Sequence, residues 1–219
     1  MKTIYFVRHG ETEGNTGKLF QGADTPLTQR GLDQARTVAS RCVKLPITAL
    51  VSSSTKRALQ TAEIIGEKMG LSVESVDLFA EVRRPSRLVG RSKDDAEARQ
   101  MEEAWHRSCC GDGPRVEDGE NFDDGKARAG AALTFLENHS ADSLLVVTHG
   151  LFLRTLFARV VLGENMTGSE FKRIIFTLQS DNTGIFVFTH DVTYAASVLD
   201  GGKDVHWRMR VWNDRAHLG

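Results

Sequence analysis

The chain has few of the usual covalent or ionic props. Its 219 residues include three cysteines, Cys42, Cys109 and Cys110, an odd number at no metal-ligand spacing. That excludes a disulfide scaffold and a cysteine metal knuckle, and fits reduced thiols in a cytoplasmic protein. The adjacent pair Cys109–Cys110 falls in a stretch expected to be a surface insertion. Charge of one sign is also missing: 28 basic side chains face 29 acidic ones, a net of -1 with histidine neutral. No global basic excess attracts nucleic acid, and no acidic tail suggests a charged partner. Any strong positive field must be local, made by a few arginines brought together by folding. Long apolar runs are absent as well. The first such stretch, within MKTIYFVRHG, is far too short for a signal-peptide core or a membrane span. No repeat or low-complexity tract stands out.

What remains is an ordinary globular composition, 40% hydrophobic and 26% charged, long enough for one domain with a real core. Ile4 to Val7 reads as a buried strand that runs at once into a glycine turn. Residues 28–42 have helical spacing, with Thr28 as N-cap. Ala49–Val51 is a second strand, followed by a helix over 55–69 that ends at Gly70. Ser72–Val76 is a third strand. From about Pro85 to Gly119 the pattern breaks down into charged sequence, with Trp105 on a helix-like segment over 94–107. This part reads as a lid-like insertion, about 85–120, that covers the domain. A helix resumes over 122–138, Ser143–Thr148 is the clearest buried strand, and a helix follows from Leu151 to about Val161. Ile174–Leu178 and Gly184–Thr189 read as late strands. Strands alternating with helices predict a three-layer α/β/α sandwich around a mostly parallel sheet.

Ligands of such sheets gather beyond the carboxyl ends of the strands. Three strands end near suggestive residues: Arg8-His9-Gly10, Arg57, and Thr148-His149-Gly150. Two arginines can grip the non-bridging oxygens of a phosphoryl group through their planar donor forks. A neutral imidazole can attack phosphorus, and neighbouring guanidinium groups disfavour its protonated form. A second histidine can donate to the charge that builds on the equatorial oxygens. A carboxylic acid must then protonate the leaving oxygen, and Glu81 is the candidate. Glu11, Glu13 and Glu120 stay open as alternatives for that proton.

Arg8-His9-Gly10-Glu11-Thr12 with Asn15 resembles the signature of the histidine phosphatase superfamily, the phosphoglycerate mutase-like group. The resemblance continues through Gln21-Gly22, Asp24, Pro26-Leu27-Thr28, Gly31 and Gln34-Ala35. It is taken up again by Ser52-Ser53-Ser54, Arg57-Ala58, Gln60-Thr61-Ala62, Glu81, Thr148-His149-Gly150 and the tail Trp212-Asn213-Asp214 with His217-Leu218. One short motif is weak evidence, whereas ordered blocks along nearly the whole chain are strong. The resemblance implies that His9 becomes phosphohistidine, that Arg8, Arg57 and His149 bind the transferred group, and that Glu81 is proton donor and then base. It further implies that Asn15, Gln21, Gly22 and Gly150 line the pocket, and that the chemistry needs no metal and no cofactor.

The plain alternatives are a packed core histidine at position 9 or 149 and a solvated helix charge at Arg57. Against them stands the complete pattern. Arg83 and Arg84 read either as solvated charges or as contacts for an anionic part of the substrate. Asp123-Asp124 with Glu117 and Asp118 reads as a solvated loop rather than a metal site. His106, His139, His190, His206 and His217 receive no catalytic role, and Trp207 and Trp212 are core or tail-packing residues.

Within the resemblance, hydrolysis competes with mutase transfer. Cofactor-dependent mutases follow their acid with Arg, any residue, Tyr and Gly, where this chain has Val82-Arg83-Arg84-Pro85-Ser86. The chain is also short for an enzyme that must keep a phosphorylated intermediate dry. Both departures favour a phosphomonoester hydrolase over a phosphoglycerate mutase-type transferase. A non-catalytic phosphate-binding domain is the alternative of another class. The partner expected is a phosphorylated small molecule or a phosphoprotein, with no nucleic acid and no membrane.

Overall fold

The computed structural model describes residues 1–191 and 206–218. Six strands form one sheet: β1 (Lys2–Arg8), β2 (Ala49–Ser52), β3 (Val73–Ser75), β4 (Ser143–Thr148), β5 (Ile185–His190) and β6 (Trp207–Asp214). Their order across the sheet is β3-β2-β4-β1-β5-β6. The first four named in that order are parallel, while β5 is antiparallel to β1 and to β6. This is the expected α/β architecture, with an antiparallel edge added to the parallel sheet.

Alternation along the strands sorts side chains onto two faces. Ile4, Phe6, Leu144, Val146, Phe186 and Phe188 pack on one side against α5 (Phe122–Asn138) and α6 (Gly150–Leu162). Val7, Leu145, Val147 and Ile185 pack on the other against α2 (Gln29–Cys42) and α3 (Lys56–Met69). Thr28 caps α2 by accepting from the Gly31 amide, and Gly70 ends α3 in the left-handed region at φ 71. The two helical layers make the sandwich.

Two expectations change. Ile174–Leu178 is not a strand but falls at the end of helix α7 (Gly168–Thr177). A short apolar run does not distinguish the two structures, and the deciding signal lay upstream. Thr167 and Glu170 form a capping box, and Phe171 and Ile175, four residues apart, bury one face. Cys109 and Cys110 are not surface residues. They end α4 (Ala96–Cys109), 3% and 2% exposed, and burial pushes the Cys109 thiol up to about 12. Trp105 on the same helix is fully buried in the main core, which ties the 85–120 stretch to the domain. Short helix α1 (Glu13–Thr16) was not foreseen. The late strand Gly184–Thr189 is β5, and the connection from it to β6 lies outside the described residues.

Candidate active site

The sheet brings the two His-Gly pairs together. β1 and β4 are parallel neighbours in a register that sets Arg8 opposite Thr148. His9 and His149 therefore leave adjacent strands at the same level, with ring centroids 5.0 Å apart. Both are buried, at 2% and 0% exposure. Each following glycine is demanded by close approach. A Cβ on Gly10 would lie 2.5 Å from the carbonyl oxygen of Gly31, and one on Gly150 would lie 2.8 Å from Ser180 Oγ and 3.3 Å from Arg8 Nε.

The hydrogen bonds orient the rings. His9 Nδ1 is 2.7 Å from the Gly10 carbonyl oxygen, which can only accept. The proton therefore sits on Nδ1, and the lone pair of Nε2 is left for chemistry. Arg57 Nε points at that atom from 3.3 Å, while its Nη1 donates to the Gly22 carbonyl at 2.9 Å. Burial, then His149, Arg57 and Arg8, holds the His9 imidazole neutral, well below its usual range. Burial first, then Arg57 and Arg8, does the same at His149. His149 Nε2 faces Ser53 Oγ at 2.8 Å and Thr55 Oγ1 at 3.2 Å, and its buried Nδ1 has no hydrogen-bond partner among the described residues.

Arg8 Nη1 donates to the Ser180 carbonyl, and its Nε is likewise buried without a hydrogen-bond partner among the described residues. Burial lowers Arg57 to about 10, so it remains cationic at neutral pH. Two fixed guanidinium groups thus surround a neutral imidazole. That set suits a tetrahedral dianion.

Glu81 follows the turn Asp77–Phe79 beyond β3. Its carboxylate accepts from Val82 N at 3.0 Å, Phe152 N at 2.9 Å and Leu151 N at 3.3 Å, the last two at the start of α6. Glu81 lines both a cavity of about 680 Å³ over Arg8, His9, Asn15, Gln21 and Gly150 and one of about 470 Å³ beside Gln21, Gly22 and Arg57. Of the rival carboxylates, Glu120 lines the smaller cavity as well. Glu11 accepts from Thr28 and lies near Arg30, Glu13 is exposed on α1, and Glu120 forms a fork with Arg128. Asn15 is exposed, and its Oδ1 accepts from Thr12 N.

Two contributors lie outside the sequence reading. Asn182 Nδ2 donates to the His9 carbonyl at 2.9 Å, from a loop whose sequence carries no helical or strand period. Arg128 donates to the carbonyls of Leu78 at 3.0 Å and Ala80 at 2.7 Å, clamping the segment that carries Glu81. Its signal was available: an arginine beside Gly125, Ala129 and Ala132 on the buried face of α5. Of the acidic residues expected in a solvated loop, Glu117 meets Arg87 and Asp118 meets Ser86 N, but Asp123 and Asp124 lie in the first turn of α5, where Asp124 closes a capping box with Asn121 and meets Arg115.

Residues 4–199 match the family model of the histidine phosphatase superfamily, branch 1. The chain belongs to this superfamily. Among its relatives, "Probable phosphoglycerate mutase GpmB" of Proteus mirabilis is 36% identical over 167 residues, covering 74% of this chain and 75% of the relative. The GpmB of Citrobacter koseri is 35% identical over 166 residues, with the same coverage. Among solved structures, mycobacterial glucosyl-3-phosphoglycerate phosphatase superposes at TM-score 0.75 with 23% identity, over 98% of this chain and all of that one. Phosphoserine phosphatase of Entamoeba histolytica superposes at TM-score 0.73 with 24% identity over the whole of both chains. These two structures share the fold. No described helix of this superfamily member is long and apolar enough to cross a membrane.

Proposed function

We propose that the chain is a phosphomonoester hydrolase that works through phosphohistidine on His9 and requires no metal. The observation that carries this reading is the His9–Gly10 hydrogen bond, which leaves Nε2 unprotonated against Arg57. Nε2 attacks phosphorus, the bond to the leaving oxygen breaks, and Glu81 supplies the proton that oxygen needs. Glu81 then takes a proton from water, water oxygen bonds to phosphorus, and Nε2 departs, releasing inorganic phosphate. Arg8, Arg57 and the Nδ1 of His149 donate to the equatorial oxygens. A hydroxyl of Ser53 or Thr55 donating to Nε2 of His149 puts its proton on Nδ1. Asn15, Gln21, Gly22 and Gly150 shape the pocket.

The names of the GpmB relatives favour a second reading, phosphoglycerate mutase transfer. Against it stands Val82-Arg83-Arg84-Pro85-Ser86 after the acid. One experiment separates them. Phosphate release from a phosphomonoester panel in the presence of a chelator supports the hydrolase. Interconversion of 3- and 2-phosphoglycerate, dependent on 2,3-bisphosphoglycerate and faster than release, supports the mutase.

A further inference from the structure

Arg83 and Arg84 both line the smaller cavity, but only Arg84 also lines the larger one. Arg83 is exposed, and its Nε donates to the Asp118 carbonyl at 2.9 Å. Arg84 turns inward and lines both cavities, as Glu81 and Gln21 do. Its guanidinium carbon lies 4.9 Å from the ring centre of Trp105. That ring is a fixed platform, fully buried and tied through Nε1 to the Glu120 carbonyl at 3.0 Å. Arg84 makes an ion pair at 3.7 Å with Glu102, beyond hydrogen-bond reach, and its Nε is buried without a hydrogen-bond partner among the described residues.

Arginine donors held over an aromatic plane, half shielded from water, suit a planar or tetrahedral anion. Glu102, which lines the larger cavity too, shares one carboxylate oxygen between Arg84 Nε at 3.7 Å and His106 Nε2 at 3.6 Å, so it offsets part of the charge without a hydrogen bond to Arg84. The charge of Arg84 reaches the phosphoryl site: burial leads the lowering of Arg57, and Arg84 adds to it ahead of Arg8. A leaving group that meets Glu81 lies beside a residue that lines both cavities, as Arg84 does.

We propose that Arg84 is the subsite for a second anionic group on the substrate, a carboxylate or a further phosphate carried by the leaving group. The inference rests on the phosphohydrolase reading only for the side from which the leaving group enters. Glu102 holds the guanidinium in place until the anion takes its unused donors.

The test measures binding, so it does not depend on turnover. In a His9→Ala background, calorimetry compares 3-phosphoglycerate with glycerol 3-phosphate, and fructose 1,6-bisphosphate with fructose 6-phosphate. The carboxylate pair or the phosphate pair should show about a 10- to 100-fold preference for the doubly anionic member, the range of a charged hydrogen bond. Which pair does so identifies the anion. Adding Arg84→Gln should reduce that preference to below about threefold. Arg84→Lys should keep part of it, and a thermal melt of each variant confirms folding. No preference in either pair, or a preference that survives Arg84→Gln, overturns the assignment. Hydrolysis by the unmutated protein is followed in parallel. A preference erased by Arg84→Gln without any hydrolysis supports the subsite and rejects only the phosphohydrolase reading.

Discussion

His9 Nδ1 donates to the carbonyl oxygen of its own neighbour, Gly10, across 2.7 Å. The contact needs no distant partner, so the strand-end turn itself selects the tautomer. Replacing His9 by Gln should reduce turnover by several orders of magnitude, since the two-step route loses its nucleophile. Steady-state phosphate release checks this, and undiminished release would remove His9 from the mechanism.

Both histidines are buried neutral, with folded pKa values well below the ordinary 6.5. Below that pH the unfolded chain binds protons that the folded chain does not. Stability therefore falls as pH drops below about 6.5, by up to about 1.4 kcal/mol per pH unit for each histidine, until the folded-state pKa is reached. Urea melts from pH 7 to 5 should show a shallower loss for His9→Gln/His149→Gln than for the parent. Parallel slopes would mean that the two rings titrate normally in the fold.

The glycines after the two histidines should fail in different ways. Gly10 meets backbone at Gly31, which cannot swing aside, so Gly10→Ala should cost about 1–3 kcal/mol of stability or more. Gly150 meets the side chains of Ser180 and Arg8. Gly150→Ala should spare most of the stability and displace Arg8, lowering kcat/KM. Denaturant midpoints read beside kinetics check the contrast.

Much of this site was legible because its chemistry is punctuated locally. Apolar strands that end in His9-Gly10 and His149-Gly150 mark themselves, and Thr28 and Gly70 mark the ends of their helices. What was hidden depends on contacts far apart in sequence. Nothing near residue 84 shows that it is the more buried of the two arginines and reaches the larger cavity, because Trp105, 21 positions away, decides it. Ile174–Leu178 was misread for a related reason. Its apolar content suits either structure, and the capping box at Thr167 was the stronger signal.

Glu81 is expected to matter in proportion to how poor the leaving group is. In single-turnover phosphorylation of the protein, Glu81→Gln should slow alkyl phosphates by about 100-fold or more and nitrophenyl phosphate far less. Single turnover is needed because the same carboxylate should act as base in the later water attack. Equal losses for both substrates would return the role to Glu11, Glu13 or Glu120.

Arg128 holds the backbone behind Glu81 and forms a buried fork with Glu120, at 2.7 and 2.8 Å. Arg128→Ala removes the charge facing that carboxylate and leaves it the Arg83 amide, which donates at 2.7 Å, so the loss should be about 2–3 kcal/mol. Arg128→Lys keeps the charge without the fork. Its melt should be milder, and its alkyl-to-aryl rate ratio should fall in the same direction as that of Glu81→Gln. An unchanged ratio would make Arg128 a stability residue only.

The central claim is that phosphorus passes through Nε2 of His9, and rapid-quench trapping tests it most directly. The protein is mixed with ³²P-labelled substrate, quenched in alkali within milliseconds, digested and mapped. The account predicts acid-labile, alkali-stable label on the peptide that contains His9, chased to inorganic phosphate and absent in His9→Gln. Turnover with no label on that peptide, or label on another residue, would contradict it.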